Sequence, residues 1–228
     1  ISSARYRVVY TGTDRAGNTS TYALGTLFFD NEPPEISMLF PIENGFTNVN
    51  EVSYELNEPL LMANLIWTPI DGAETISIDL TGDELKPGIF AQATLANQSE
   101  LSDGTVYNLS ITAIDRSGNE AEISLANHVT YDKSKPKFTQ VFPSTSARVN
   151  SQLLKWTVNE ELISGKYTWI YMGGNADPSA PHTFELTPDL LSAASHDNST
   201  LQDLALVTDA MYRITLEGTD RAGNTGKK

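Results

Sequence analysis

The chain has 228 residues, 39% hydrophobic and 19% charged, with a formal net charge of −14 and no cysteine. That composition suffices for a packed core, while the acidic balance argues against nucleic acid, whose binding rests on Lys and Arg neutralising phosphate, and against docking on anionic lipid. The missing cysteines exclude disulfides, thiolate metal sites and cysteine nucleophiles, and the absence of a long apolar run argues against membrane insertion.

In chain order, the first predicted element is a strand from Tyr6 to Asp14, and Ile1 already lies in a β-like segment, which implies an N-terminus further upstream. The turn Asp14-Arg-Ala-Gly17-Asn18 follows, then a strand from Thr21 to Phe29. A polar, proline-bearing joint, Asp30-Asn31-Glu32-Pro33-Pro34, comes next; proline fixes φ and stiffens such joints. Beyond Phe40-Pro41, Val52, Tyr54 and Leu56 alternate along a strand that ends in Asn57-Glu58, and Trp67 marks the next strand. The turn Leu101-Ser-Asp103-Gly104 leads into a strand from Tyr107 to Asp115. There Tyr107, Leu109, Ile111 and Ala113 face one way and Asn108, Ser110 and Thr112 the other. Period-two alternation of this kind marks half-buried strands. Asp115-Arg-Ser-Gly118-Asn119 repeats the first turn, and Val129 with Tyr131 closes the series.

The same order then returns. The joint Asp132-Lys133-Ser134-Lys135-Pro136 matches the first, Phe142-Pro143 matches Phe40-Pro41, and Leu154 to Glu160 matches Val52 to Glu58. Trp169 matches Trp67, Leu186-Thr187 matches Leu80-Thr81, and Tyr212 to Asn224 matches Tyr107 to Asn119. The period is about a hundred residues, the size of one β-sandwich. This divides the chain into residues 1–32, the last two strands of a preceding repeat; residues 33–134, one repeat; and residues 135–228, a further repeat lacking its last strand. The out-of-phase ends imply either trimming of a longer chain, the favoured reading, or completion of one copy by the hairpin of another. Helical spacing is confined to one short turn near residues 186–194.

Two details favour an immunoglobulin-like topology, strands A to G in two sheets. Tyr107 follows a turn, where a tyrosine corner opens strand F, and Trp67 and Trp169 fall where strand C carries a core tryptophan. Asp-x-x-Gly-Asn then forms the F–G turn. The pattern of a strand ending in Asn57-Glu58-Pro or Asn159-Glu160-Glu, a Trp strand, Leu101-Ser-Asp-Gly-Thr-Val-Tyr107 and Asp-x-x-Gly-Asn resembles the bacterial immunoglobulin-like repeats of large surface and adhesin proteins. More distantly it is similar to hyalin repeats and fibronectin type III modules. The resemblance spans essentially the whole chain and implies an all-β fold of tandem immunoglobulin-like antiparallel β-sandwiches. Thr208-Asp209 replaces Asp103-Gly104 before the last strand F, so that turn is expected to differ.

Catalytic motifs are lacking. His128, His182 and His196 show no metal-ligand spacing and read as surface residues, the last two in variable loops. No nucleophile elbow, phosphate loop or glycine fingerprint occurs. The pair Asp83-Glu84 has no counterpart in the second repeat. Trp67, Trp156, Trp169 and Tyr171 read as core rather than as a sugar-stacking platform. The sequence is accordingly that of a non-enzyme.

One acidic constellation has content. In this topology the B–C loop, the F–G turn and the incoming linker share one end of a sandwich. Glu58, Asp115 and Asn119 should therefore converge with Asp30, Asn31 and Glu32, and Glu160, Asp220 and Asn224 with Asp132. Carboxylates with amide oxygens suit Ca²⁺, a hard cation with six to eight oxygen ligands. The alternative is that Asp and Asn serve the turn alone and that Glu58 and Glu160 are solvated. Lys133 and Lys135 should weaken the second set. The sequence thus reads as extracellular, cell-surface spacer repeats whose partners are neighbouring repeats, with a host or surface glycan or protein as a further partner. The alternative is a glycan- or protein-binding accessory module of a secreted polysaccharide-degrading enzyme, for which the insert Gly173 to Pro181 is the candidate loop.

Overall fold

The computed structural model describes residues 4–199 and 204–228. Its strands are β1 (Ala4–Thr13), β2 (Thr19–Phe29), β3 (Ile36–Phe40), β4 (Phe46–Thr47), β5 (Glu51–Leu56), β6 (Leu60–Pro69), β7 (Ile76–Asp79), β8 (Gly88–Thr94), β9 (Thr105–Asp115) and β10 (Glu120–Tyr131). The series continues with β11 (Phe138–Phe142), β12 (Lys155–Val158), β13 (Leu162–Gly174), β14 (His182–Glu185), β15 (Ser195–Asp197), β16 (Ala210–Asp220) and β17 (Thr225–Lys227). Contacts group the chain into two units. The first holds residues 1–45, 50–101 and 105–129; the second holds 46–49, 102–104 and 130–228. No helix among the described residues is long and apolar enough to cross a membrane.

In the first unit, β3, β5 and β8 form one antiparallel sheet, and β10, β9, β6 and β7 lie side by side in another. These are strands A, B, E and G, F, C, C′ of an immunoglobulin-like sandwich. The alternation expected of β9 holds without a slip: Tyr107, Leu109, Ile111 and Ala113 are buried and the residues between them are not. Val52, Tyr54 and Leu56 of β5 and Leu65 and Trp67 of β6 supply the rest of the core. Trp67 meets Tyr107 edge-on at 5.6 Å, the arrangement that sets a ring's positive edge against the neighbouring face.

The second unit repeats this order, with β11–β12–β15 as one sheet and β14–β13–β16–β17 as the other. Trp156, Tyr167, Trp169 and Leu216 lie in its core. The three tryptophans are thus interior residues, at 0–3% exposure, as their matched positions imply. Tyr212 makes the tyrosine corner: its hydroxyl accepts a bond from the Val207 backbone N–H at 3.0 Å. The turn before it keeps a left-handed residue at the same place, Asp209 at φ 60° where Gly104 has φ 75°, but differs in its bonds, the Ala210 N–H donating to the Val207 carbonyl where the Gly104 N–H donates to the Tyr131 carbonyl. The expected helical turn is a single 3₁₀ turn, Pro188–Leu190.

Two expectations are corrected. Strand G of the second repeat, expected to be missing, begins at once after the turn: Thr225, Gly226 and Lys227 of β17 pair with Thr219, Gly218 and Glu217. The turn reverses the chain, so the residues following it fall directly beside β16. His196 lies on β15, opposite Trp156, rather than in a loop, and His182 is neither in a loop nor on the surface. It lies on β14, its side chain is 10% exposed, and its Nε2 lies 2.7 Å from the buried Asp177 carboxylate. The same Asp177 oxygen accepts a bond from the Tyr212 hydroxyl, which anchors the 173–181 insert to the sheet. Asp83-Glu84 is structural too, since Glu84 accepts bonds from the Thr81 and Ala96 backbone N–H groups.

The burial pattern sets the expected cost of core substitutions. Trp169→Ala removes an indole packed edge-on to Tyr212 at 5.9 Å and is expected to lower the unfolding free energy by about 3–5 kcal/mol. Leu61→Ser, on an outward position with 62% exposure, should change it by less than about 0.5 kcal/mol. Urea midpoints check both.

Candidate metal centres

The F–G turn is built alike in all three copies. Asp115 Oδ1 accepts bonds from the Ser117 and Asn119 backbone N–H groups at 2.7 and 2.9 Å, and its Oδ2 accepts one from the Asn119 amide at 2.7 Å. Asp14 binds Ala16 and Asn18 in the same way, and Asp220 binds Asn224. Gly17, Gly118 and Gly223 have φ of 91°, 92° and 91°, a region that glycine occupies without steric cost. Burial opposes ionisation of Asp115, but the bonds from Asn119, Ser117 and Gly118 together hold its pKa below the usual carboxylate range.

Turn chemistry explains Asp and Asn; it does not explain the carboxylates that meet them. Asp30, Glu58 and Asp115 bring one oxygen each to within 4.8 Å of one another, and Asp132, Glu160 and Asp220 do the same. In each set the turn Asp is buried, and the linker Asp and the B–C Glu are half-buried. Burial, followed by the charges of Asp115, Asp30 and Glu32, pushes the Glu58 pKa up. Glu160 is raised by burial and by Asp220 and Asp132, against a bond from Asn159 and the charge of Lys137. Asp132 is raised by burial and by Asp220 and Asp103, against a bond from Ser134. Glu58 and Glu160 are thus not the freely solvated side chains of the turn-only alternative.

The linker is held in place from two sides. The Asn119 amide donates to the Asp30 carbonyl at 3.3 Å, and the Asn224 amide to the Asp132 carbonyl at 2.8 Å. The linker carboxylates cap their own turns, Asp30 from the Glu32 N–H and Asp132 from the Ser134 N–H.

The predicted site residues therefore divide by role. Asp30, Glu58 and Asp115 come together, as do Asp132, Glu160 and Asp220. Asn119 and Asn224 sit beside them as donors that clamp the linker, and Asn224 Oδ1 already accepts a bond from Asn48 at 3.1 Å. Asn31 and Glu32 are exposed and outside the three-carboxylate set, although the charge of Glu32 reaches Glu58. The base whose charge offsets Glu160 is Lys137; Lys133 extends its ammonium over the Tyr131 ring. The sequence reading missed the role of Asn57 and Asn159. Their side chains accept bonds from the Glu35 and Lys137 N–H groups at 2.9 and 2.6 Å, pinning strand A to the start of the B–C loop. Their recurrence before each Glu was the available signal.

No family model matches the chain, and no curated protein matches it in sequence. Among solved structures it is similar to the FN1–FN3 domains of chicken CNTN1, at 14% identity and a TM-score of 0.40 over 100% of this chain and 76% of that one. A tetra-tandem repeat from the extending region of a large adhesion protein aligns at 18% identity and 0.34, over 100% of this chain and 56% of that one. A 1.5-MDa bacterial ice-binding adhesin aligns at 13% and 0.32, over 99% and 72%.

Opposite pH dependences follow for Glu58 and Asp115. A carboxyl raised by folding stabilises the fold fully below its unfolded pKa, and that stability is lost as pH rises through its folded pKa. Glu58→Gln should therefore raise the melting temperature in chelator at neutral pH and remove this loss just above the usual glutamate range. Asp115 is lowered, so its contribution is present above its unfolded pKa and lost as pH falls. Asp115→Ala should cost about 1–3 kcal/mol at neutral pH through three unmade bonds. Melts from pH 3 to 8 in chelator check both signs.

Proposed function

We propose that residues 33–134 and 135–228 are non-catalytic spacer repeats of an extracellular, adhesin-like bacterial surface protein, stiffened by Ca²⁺ at the two acidic sets. The observation that supports this is the recurrence of the linker Asp and B–C Glu beside a turn that needs only its own Asp. Asp14 completes the same turn while exposed, so the extra carboxylates serve something other than the turn.

A cation held by a linker carboxylate together with two carboxylates of the following repeat ties the linker to that repeat. It also removes the repulsion that raises Glu58 and Glu160. Three carboxylates supply only part of the six to eight oxygens Ca²⁺ takes, and water supplies the remainder. Repeats joined by stiffened linkers make length, since each contacts only its neighbours. The accessory binding module has less support, because the tryptophans that would stack a sugar are interior and the insert is tied down through Asp177.

Calcium should raise the melting temperature, with stabilisation of about 2.7 kcal/mol at a hundredfold excess over Kd. Glu58→Gln and Glu160→Gln should each remove one of two sites in calorimetric titration. A chain that takes up no Ca²⁺ and melts identically with and without chelator would return the acidic sets to turn chemistry alone.

A further inference from the structure

The turn from Asp220 to Asn224 makes contacts that its own closure does not require. Arg recurs at 15, 116 and 221, although the turn is closed by Asp, Asn and backbone groups, with no part for the arginine side chain. The second unit takes in residues 46–49 and 102–104 along with 130–228, and residues of these two short segments bond to the turn and to the linker. The Arg221 guanidinium lies over the Phe46 ring, with Cζ 5.5 Å from its centroid, and its Nη2 is 2.8 Å from Glu161. The Asn48 amide donates to Asn224 Oδ1 at 3.1 Å. On the linker, the Asp132 N–H donates to the Thr47 carbonyl at 2.9 Å, and Asp103 accepts bonds from the Lys133 N–H and the Ser134 hydroxyl. These bonds, that from Lys133 first, hold the Asp103 pKa below the usual carboxylate range. Phe46 and Thr47 are themselves anchored, since β4 pairs parallel with Thr130 and Tyr131 of β10.

We propose that Phe46, Thr47, Asn48 and Asp103 form a latch that recognises the Asp220–Asn224 turn and holds it against the Asp132–Ser134 linker without a cation. The Phe46 ring takes the Arg221 charge on its π face, which gives the recurring arginine a use that the turn alone does not. Asn48 meets the one amide atom that the turn and linker leave over. Asn224 Nδ2 serves both Asp132 and Asp220, and Asn224 is only 7% exposed, so its Oδ1 would be costly to leave without a donor. Calcium, where it binds, then adds to a set whose turn and linker are already in place. The latch rests on the spacer-repeat reading and not on calcium, so its test is run in chelator. A chain that takes up no Ca²⁺ leaves the latch standing, and a failed latch leaves the calcium sites standing.

Hydrogen exchange of the full chain reads the latch at the Asp132 amide, whose partner is the Thr47 carbonyl. In the parent chain this proton should exchange more slowly than an unstructured amide by about a hundredfold or more. Asn48→Ala should speed it by about threefold to tenfold. Phe46→Leu, which keeps an apolar side chain and loses the ring, should speed it by about twofold to fivefold. Amides of the β6–β9 and β13–β14 pairs should keep their rates in both variants. Arg221→Gln should act at least as strongly as Phe46→Leu, and the double variant should be no faster than Arg221→Gln alone, because the ring contact is then already gone. Additive effects of these two substitutions overturn the latch. So do single variants that leave the Asp132 amide unchanged, and a parent chain whose Asp132 amide exchanges as fast as an unstructured one.

Discussion

A buried carboxylate at the F–G turn of residues 33–134 and again of residues 135–228 is the constraint on which the rest of these repeats depends. Asp115 and Asp220 are almost wholly enclosed, at 0% and 2% exposure, and an enclosed charge is tolerated only when its oxygens are satisfied. The Asn four residues on satisfies one oxygen with its backbone N–H and the other with its amide. Having closed the turn, the same amide reaches the linker carbonyl. One short segment thereby ends strand F, starts strand G and fixes where the chain enters the repeat.

That arrangement concentrates negative charge. Asp115 and Asp220 are each brought to within 4.8 Å of a linker Asp and a B–C Glu, and burial with like charge then raises Glu58, Glu160 and Asp132. The carboxylates do not compete on equal terms. Hydrogen bonds hold Asp115 below the usual carboxylate range while Glu58 beside it is pushed up. Lys137 tempers the second set, and in the first Arg116 lines a cavity together with Asp30 and Glu58. The two sets are alike in geometry and unequal in their surrounding charge.

The sandwich interior follows a simpler rule. Large aromatics on strands C and F meet edge-on, Trp67 with Tyr107 and Trp169 with Tyr212, and Tyr54 and Tyr167 stack on Phe90 and Phe184. The second repeat carries a polar feature built on its insert. Tyr212 carries its hydroxyl both to the Val207 backbone and to Asp177, which also meets His182. The insert therefore enters the core's hydrogen bonding instead of standing free.

Much of this was legible in the residues because the repeat displays it more than once. Alternation with period two placed strands B, C and F, their inward faces and the core tryptophans, since a strand shows its buried side at every second residue. Asp-x-x-Gly-Asn specified the turn, because its bonds are local and its glycine conformation is written in the sequence. The convergence of Asp30, Glu58 and Asp115 followed from topology once the sandwich was inferred. What only the tertiary structure decided were pairings between residues far apart in the chain. Among these are the clamp of Asn119 and Asn224 on the linker, the pinning of strand A by Asn57 and Asn159, and the burial of His182 against Asp177. The exposure of Asn31 and Glu32, one residue or two from a half-buried Asp30, also belongs here. Distances between segments depend on how sheets stack and loops bend, and a linear pattern carries the direction of a side chain without the neighbour it will meet.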